Sequence, residues 1–201
     1  MNDSEIKLND IAMEYPGNHP GSVSVEIEES TFSIKNNICN LNVLLNNKKV
    51  NLITVDNIET NEQLVLNKEA IPKIVLGEQS VIELSDLIPD KVVKIDREGV
   101  LLKYFDIKNQ LEIEWSFRIK EKCNFIIQNL KLVSQNDDFN LNEIIFTEGL
   151  IKGSCQCGEV DGSVIINKHF FMGIESPMAK NVCSDEQIVN CSLLFKSEIQ
   201  K

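Results

Sequence analysis

The chain has 201 residues, of which 42% are hydrophobic and 25% are charged. These are ordinary values for a globular protein, so they argue against a disordered chain. Because 20 Lys and Arg residues stand against 31 Asp and Glu residues, the net charge is -11. A field of this sign repels nucleic acid and anionic membranes, whereas a neutral partner such as a carbohydrate is compatible with it.

The first 21 residues are polar and end in a Pro- and Gly-rich cluster that cannot continue a regular element. We therefore predict a polar, partly ordered segment over residues 1–21 and one domain over residues 22–201. Residues 1–7 carry neither the basic start nor the apolar core of a secretory signal. The compartment stays open, and a periplasmic or secreted location is compatible with a leader preceding residue 1.

From Ser22 onward, short apolar runs alternate with turn-forming residues, which is typical of strands. Strands are predicted over residues 23–27, 32–34, 41–45 and 50–55. Asn46-Asn47 is placed for a tight hairpin turn between the last two. The stretch 57–99 is less regular, with a short helix predicted near residues 67–70 that Pro72 ends.

The second half has a clearer strand pattern. Residues 111–120 alternate strictly, with five apolar side chains on one face: Leu111, Ile113, Trp115, Phe117 and Ile119. We interpret Trp115 as a core residue. Further strands are predicted over residues 125–133, 143–146, 160–166, 170–175 and 187–195. Because no window of 12 residues holds a helical apolar stripe, the sequence predicts an all-β fold of stacked antiparallel sheets, a β-sandwich.

The six cysteines and two histidines do not form a recognised metal-binding pattern. Cys155 and Cys157 form a Cys-x-Cys without a second close pair, and His19 and His169 lack the spacing of a zinc site. In an extended segment, Cys155 and Cys157 would lie too far apart to bridge each other. We predict reduced cysteines, no metal and no cofactor.

Two motifs at a particular separation carry a family resemblance. The first is a Trp-bearing strand followed by an Asn-Phe segment ending in Gln, and the second joins Gly-x-x-x-Gly-Ser to Phe-Phe-x-Gly-x-Glu and Pro-x-x-x-Asn. The matching positions are Trp115, Arg118, Asn124, Phe125, Gln128, Gly158, Gly162, Ser163, Phe170, Phe171, Gly173, Glu175, Pro177 and Asn181. Together they resemble the β-sandwich ahead of the catalytic barrel in large bacterial proteins similar to α-galactosidases, some of them labelled enterotoxin. The sequence departs from the family pattern at three places. Val164 stands where the family usually has Pro after Gly-Ser, Ser176 stands where it has His before Pro, and the loop 120–122 stands where it usually has Arg-Asp-Gly.

The resemblance implies a supersandwich similar to galactose mutarotase, acting as a non-catalytic accessory domain of a glycoside hydrolase-like protein. Its expected partners are a carbohydrate and a catalytic barrel domain of the same or a neighbouring chain. The barrel of such proteins would begin beyond residue 201, and no pair of carboxylates in this sequence stands out as catalytic.

Three residues are candidate ligand contacts. Glu175 is expected to be a partly buried carboxylate at a strand end, and Arg118 is one partner that could satisfy it. Structural closure of that strand end is the alternative role. Asn181 is a candidate sugar contact or the cap of the turn after Pro177. Gly158, Gly162 and Gly173 are interpreted as bend or close-approach positions.

Two other functions remain open. An independent carbohydrate-binding module needs exposed aromatic side chains, and the supply of Trp115, Tyr15 and Tyr104 is small. A mutarotase-like enzyme needs a His and Glu pair for acid–base exchange, and neither His19 nor His169 lies in such a setting in the sequence.

Overall fold

The computed structural model describes residues 18–77, 80–135 and 139–195. Most of the predicted polar segment over residues 1–21, with Tyr15, lies outside these ranges. The described residues form strands β1 to β17 and two single-turn 3-10 helices, Lys68–Ala70 and Leu84–Asp86. The first of these helices confirms the short helix predicted ahead of Pro72.

The first sheet is an antiparallel meander in chain order. Its strands are β1 (Ser24–Ile27), β2 (Thr31–Lys35), β3 (Cys39–Asn46), β4 (Lys49–Asn57) and β5 (Glu62–Leu66). The predicted tight hairpin is confirmed between β3 and β4, one residue further on. Asn47 and Lys48 have φ of 50° and 65°, the left-handed pair whose twist matches that of the flanking strands.

The second sheet is also a meander, in the order β11-β10-β9-β8. Its strands are β8 (Lys91–Ile95), β9 (Gly99–Asp106), β10 (Leu111–Arg118) and β11 (Ile127–Ser134). The predicted apolar face of β10 is confirmed, because its five side chains are each 0% exposed. Phe117 lies 5.8 Å from Phe32 of the first sheet, ring centroid to ring centroid, so the two sheets share one core.

The third sheet joins the two halves of the chain in the order β16-β17-β12-β6-β7. Its strands are β6 (Lys73–Leu76), β7 (Ser80–Glu83), β12 (Leu141–Leu150), β16 (Ala179–Cys183) and β17 (Ile188–Leu194). Its inner face carries Ile74, Val189 and Cys191 into the core. The fourth sheet is the small meander β13 (Ser154–Cys157), β14 (Val164–Asn167) and β15 (Phe170–Met172).

The prediction of an all-β fold with antiparallel sheets is confirmed. The two-layer sandwich is not confirmed, because the described strands divide into four sheets. Three of these sheets are meanders of consecutive strands, as the blades of a β-propeller are, so the arrangement is propeller-like.

Two predicted strands are wrong in part. Residues 160–163 form a turn and not the start of a strand, because Gly158 takes a φ of +124° and the Ser163 amide donates to the Val160 carbonyl at 2.9 Å. The strand predicted over residues 170–175 ends at Met172.

Candidate functional site

The outer face of the third sheet holds a groove of about 380 Å³. It is lined by Glu143 of β12, Lys180 and Val182 of β16, and Asn190, Ser192 and Leu194 of β17. Antiparallel pairing brings them together, since Lys180 lies opposite Ser192 and Glu143 lies opposite Leu194. Alternate residues of a strand share a face, so these polar groups collect on the outer face while the inner face packs against the core.

Ser192 forms the floor of the groove. It is 0% exposed, and its hydroxyl has no hydrogen-bond partner among the described residues. A buried hydroxyl without a partner costs about 1–3 kcal/mol. Because the hydroxyl is fully buried, a ligand group can reach it only when the side chains above it move aside; a group that does so and offers a donor or an acceptor gains a hydrogen bond there.

The walls of the groove carry one acid, one base and one amide. Neither Glu143 nor Lys180 forms an ion pair with any residue in the described part of the chain. The Asn190 amide donates to Glu148 at 3.4 Å, and Glu148 is itself held by Lys73 at 2.7 Å. Of the lining residues that the structure describes, Glu143 is the only carboxylate, whereas glycoside hydrolysis needs two, about 5–9 Å apart. The arrangement fits binding of a small polar molecule.

Asn181, a predicted ligand contact, is fully buried on the inner face of the same sheet. Its side-chain oxygen accepts from the Ile174 amide at 3.1 Å, and its side-chain nitrogen donates to the Gly162 carbonyl at 3.3 Å. Its backbone amide donates to the Asp161 carbonyl at 2.6 Å. Asn181 therefore fastens the loops 158–163 and 173–178 to β16, and direct contact with a ligand would require those loops to move.

Two glycines of the same motif allow this packing. A Cβ on Gly158 would lie 2.6 Å from the Ser163 hydroxyl, and its φ of +124° disfavours a side chain in any case. A Cβ on Gly173 would lie 3.0 Å from the Asn181 side-chain nitrogen. The close-approach interpretation is confirmed for these two, whereas a Cβ on Gly162 would meet nothing within 4 Å.

Glu175 and Arg118, the other two predicted ligand contacts, lie outside the groove. Glu175 is exposed, so the expectation of partial burial is wrong; the reason is that β15 ends at Met172 and leaves Glu175 in a loop. Arg118 is half-buried at the end of β10, and the two form no ion pair with each other. Neither they nor Asn181 line the groove. Their ligand-binding role stays a prediction.

The structure pairs His169 with Glu62, which no sequence pattern indicated. The His169 Nδ1 lies 2.5 Å from a Glu62 oxygen, and the Lys168 ammonium lies 3.6 Å from the other. The pair joins β5 of the first sheet to the turn between β14 and β15. It is a His and Glu pair of the kind acid–base chemistry uses, but the His169 side chain is 59% exposed and neither residue lines the groove.

This pair predicts a pH dependence of stability. The hydrogen bond from His169 lowers the pKa of Glu62 below its ordinary value of 4.5. A lowered carboxyl pKa stabilises the folded state above the unfolded pKa, and that contribution is lost as the pH falls through the folded pKa. We expect Glu62→Gln to lower the urea midpoint slightly at about pH 6, and the difference from the wild type to vanish as the pH falls through the lowered pKa of Glu62. Glu28→Gln, at an exposed position without an ion pair, is the control; an equal shift in both variants would contradict the prediction.

The cysteines show two environments. Each of the six is free, and all lie within the described residues. Burial raises the pKa of the Cys39 thiol to about 11, and burial together with the neighbouring Cys183 raises that of Cys191 to about 12, so both are inert at neutral pH. Cys155 and Cys157 are exposed on β13. Across the described ranges, no group of three or more His, Cys, Asp or Glu side chains is arranged to hold a metal ion.

The described residues thus define an all-β protein with an open polar groove on one sheet. Within them, no helix is long and apolar enough to cross a membrane. Comparison of the chain with protein-family models, with curated proteins and with solved structures gives no match. The resemblance to α-galactosidase-like proteins therefore stays a prediction.

Proposed function

We propose that this chain is a non-catalytic accessory domain of a glycoside hydrolase-like protein and that it binds carbohydrate in the groove of the third sheet. The observation that carries the proposal is the groove itself, whose walls hold the Glu143 and Lys180 side chains without ion pairs among the described residues, above the buried Ser192 hydroxyl. The motif pair described above supports the link to glycoside hydrolases. A catalytic barrel domain of the same or a neighbouring chain would supply the chemistry.

The groove chemistry suits a neutral sugar. Sugar hydroxyls both donate and accept hydrogen bonds, so they can pair with Ser192, the Asn190 amide and the charged heads of Glu143 and Lys180. Val182 and Leu194 offer apolar surface to the C–H groups of a sugar ring. The groove balances one acid against one base, and the net charge of -11 disfavours a polyanionic ligand.

An independent carbohydrate-binding module is the second candidate, and one observation favours it. The described lining residues all come from three adjacent strands of one sheet, β16, β17 and β12, so a single sheet of this domain builds the groove. Within the described part of the chain no aromatic side chain lines it, and Trp115 and Tyr104 are buried, so stacking on an aromatic platform is not part of this proposal. The two candidates share the groove and differ in whether a catalytic domain adjoins it.

We also propose that the first and second sheets form the two layers of the predicted sandwich. The contact between Phe32 and Phe117 across the shared core supports this arrangement. An experimental structure in which these sheets do not face each other would reject it.

The groove predicts opposite effects of one substitution on stability and on binding. In Ser192→Ala the unpaired hydroxyl is removed, so we expect the free energy of unfolding to rise by about 1 kcal/mol. The same change should weaken binding of the best neutral oligosaccharide from a glycan array by about fivefold or more, since a lost hydrogen bond is worth about 1 kcal/mol. Lys180→Ala should weaken binding similarly and leave stability nearly unchanged. Urea denaturation and titration calorimetry measure the two quantities.

Ser24→Ala is the matched control, because Ser24 is exposed on β1 of a different sheet. It should change neither quantity. Failure of the wild-type protein to bind any neutral glycan would contradict the proposed function, as would sugar binding that survives both groove substitutions unchanged.

A further inference from the structure

The outer face of the fourth sheet is apolar and, among the described residues, largely uncovered. Val164 and Ile166 of β14 and Phe171 of β15 point to this side, while Ile165 on the other side is 0% exposed in the core. Phe171 is 68% exposed and Val164 is 41% exposed. Cys155 and Cys157 of β13 extend the same face, since their register partners are Ile166 and Val164. No charged side chain interrupts this part of the sheet.

Two loops enlarge the apolar surface at one end of the sheet. Loop 158–163 follows β13 and loop 173–178 follows β15, so both lie at the end where β14 begins. Each presents an exposed apolar side chain at this end. Val160 is 69% exposed and Met178 is 56% exposed. We call the set of Val160, Val164, Ile166, Phe171 and Met178 the apolar face.

At the end where β14 begins, the rim of the apolar face is acidic. Glu159 and Asp161 lie in the first loop and Glu175 in the second, and all three are exposed. None of them forms an ion pair within the described ranges of the chain. An apolar centre with an unpaired acidic rim is complementary to an apolar surface flanked by Lys or Arg.

The loops that carry these groups are fixed in place. The Ser163 amide donates to the Val160 carbonyl at 2.9 Å, and the Val160 amide donates to the Ser163 hydroxyl at 3.3 Å. The buried Asn181 side chain then holds both loops to β16. A rigid exposed surface loses little conformational entropy when a partner binds, which favours association.

We propose that the apolar face is a docking surface for a polypeptide partner that presents apolar side chains flanked by Lys or Arg. A second copy of this chain is disfavoured, because a two-fold dimer through this face would bring the acidic rims of both copies together. The proposal rests on the accessory role inferred above and names the surface through which that role is exercised. It uses no residue of the groove.

The probe is a pair of synthetic amphipathic helical peptides of equal length, one of Leu and Lys and one of Leu and Glu. Fluorescence anisotropy should show binding of the Leu–Lys peptide only. Phe171→Ser should weaken it about tenfold, as loss of a central apolar anchor does. The triple variant Glu159→Gln, Asp161→Asn and Glu175→Gln should weaken it similarly and flatten its salt dependence.

Matched controls separate this surface from the general acidity of the chain. Ile107→Ser removes an apolar side chain that is 75% exposed in a turn of the second sheet. Neutralising Glu28, Glu29 and Glu121 to Gln removes three exposed acids elsewhere. Both controls should bind the Leu–Lys peptide as the wild type does.

Three outcomes would overturn the proposal: no binding of the Leu–Lys peptide, equal effects in the test and control variants, or self-association of the wild type that Phe171→Ser abolishes. The last would make a second copy the occupant. Wild-type protein that binds the Leu–Lys peptide but no neutral glycan would contradict the proposed function alone, and glycan binding without peptide binding would overturn the docking surface alone.

Discussion

Replacing Trp115 with alanine is expected to lower the free energy of unfolding by about 3–5 kcal/mol, the usual cost of deleting a large buried aromatic side chain. Trp115 is 0% exposed at the centre of β10. Its ring lies 4.6 Å from that of Phe117, centroid to centroid, and its indole N–H donates to Gln128 at 3.2 Å. The substitution therefore removes packing at the contact between the first and second sheets and also leaves the Gln128 side chain without its donor.

Urea denaturation followed by far-ultraviolet circular dichroism measures this loss, because Trp115 is the only tryptophan and its fluorescence disappears with it. Phe125→Ala is the control, since Phe125 is 41% exposed. It should cost no more than about 1 kcal/mol. A Trp115→Ala variant as stable as this control would show that the shared core does not depend on β10.

The burial of one face of β10 and the hairpin after β3 could be predicted from the sequence, because both depend on residues close together in the chain. In β10, apolar and polar residues alternate over the whole strand, so one face had to be buried whatever packed against it. The hairpin at Asn47 was predictable for a similar reason, because Asn tolerates the positive φ that a tight turn requires. Both signals depend on neighbouring residues alone.

The groove could not be predicted because it depends on pairing between distant strands. Its lining residues come from β12, β16 and β17, and β16 gave no strand signal because its buried position 181 is an asparagine. The asparagine can be buried because the backbone of two loops forms hydrogen bonds to its side chain. The periodicity of the sequence does not show these bonds. The pairing of Glu62 with His169 spans 107 positions and has no local signature either.

Two of the candidate site residues, Glu175 and Asn181, lie in one segment of the fold, and the sequence indicated neither the exposure of the first nor the partners of the second. In the motif from Gly158 to Asn181, the Asn181 side chain forms hydrogen bonds to both loops and holds the motif together. Glu175 is exposed in the second of these loops. The adjacent Lys180, which sequence reasoning passed over, is the residue that lines the groove. Lys180 lies on the outer face and Asn181 on the inner face of β16, because consecutive residues of a strand face opposite sides.

Asn181→Ala is expected to cost about 2–3 kcal/mol, because it leaves the Ile174 amide and the Gly162 carbonyl without partners and opens a small cavity beside Gly173. Amide hydrogen exchange should accelerate in loops 158–163 and 173–178 and stay unchanged in the second sheet.

Asn190→Ala is the control for Asn181→Ala, since its half-buried side chain makes one bond of 3.4 Å and should cost under about 1 kcal/mol. Because the loops are then no longer held in place, Asn181→Ala should also weaken binding of the Leu–Lys peptide, although Asn181 itself is fully buried. Unchanged amide hydrogen exchange in both loops would mean that their conformation does not depend on Asn181. The rigidity of the apolar face could then not be attributed to this residue.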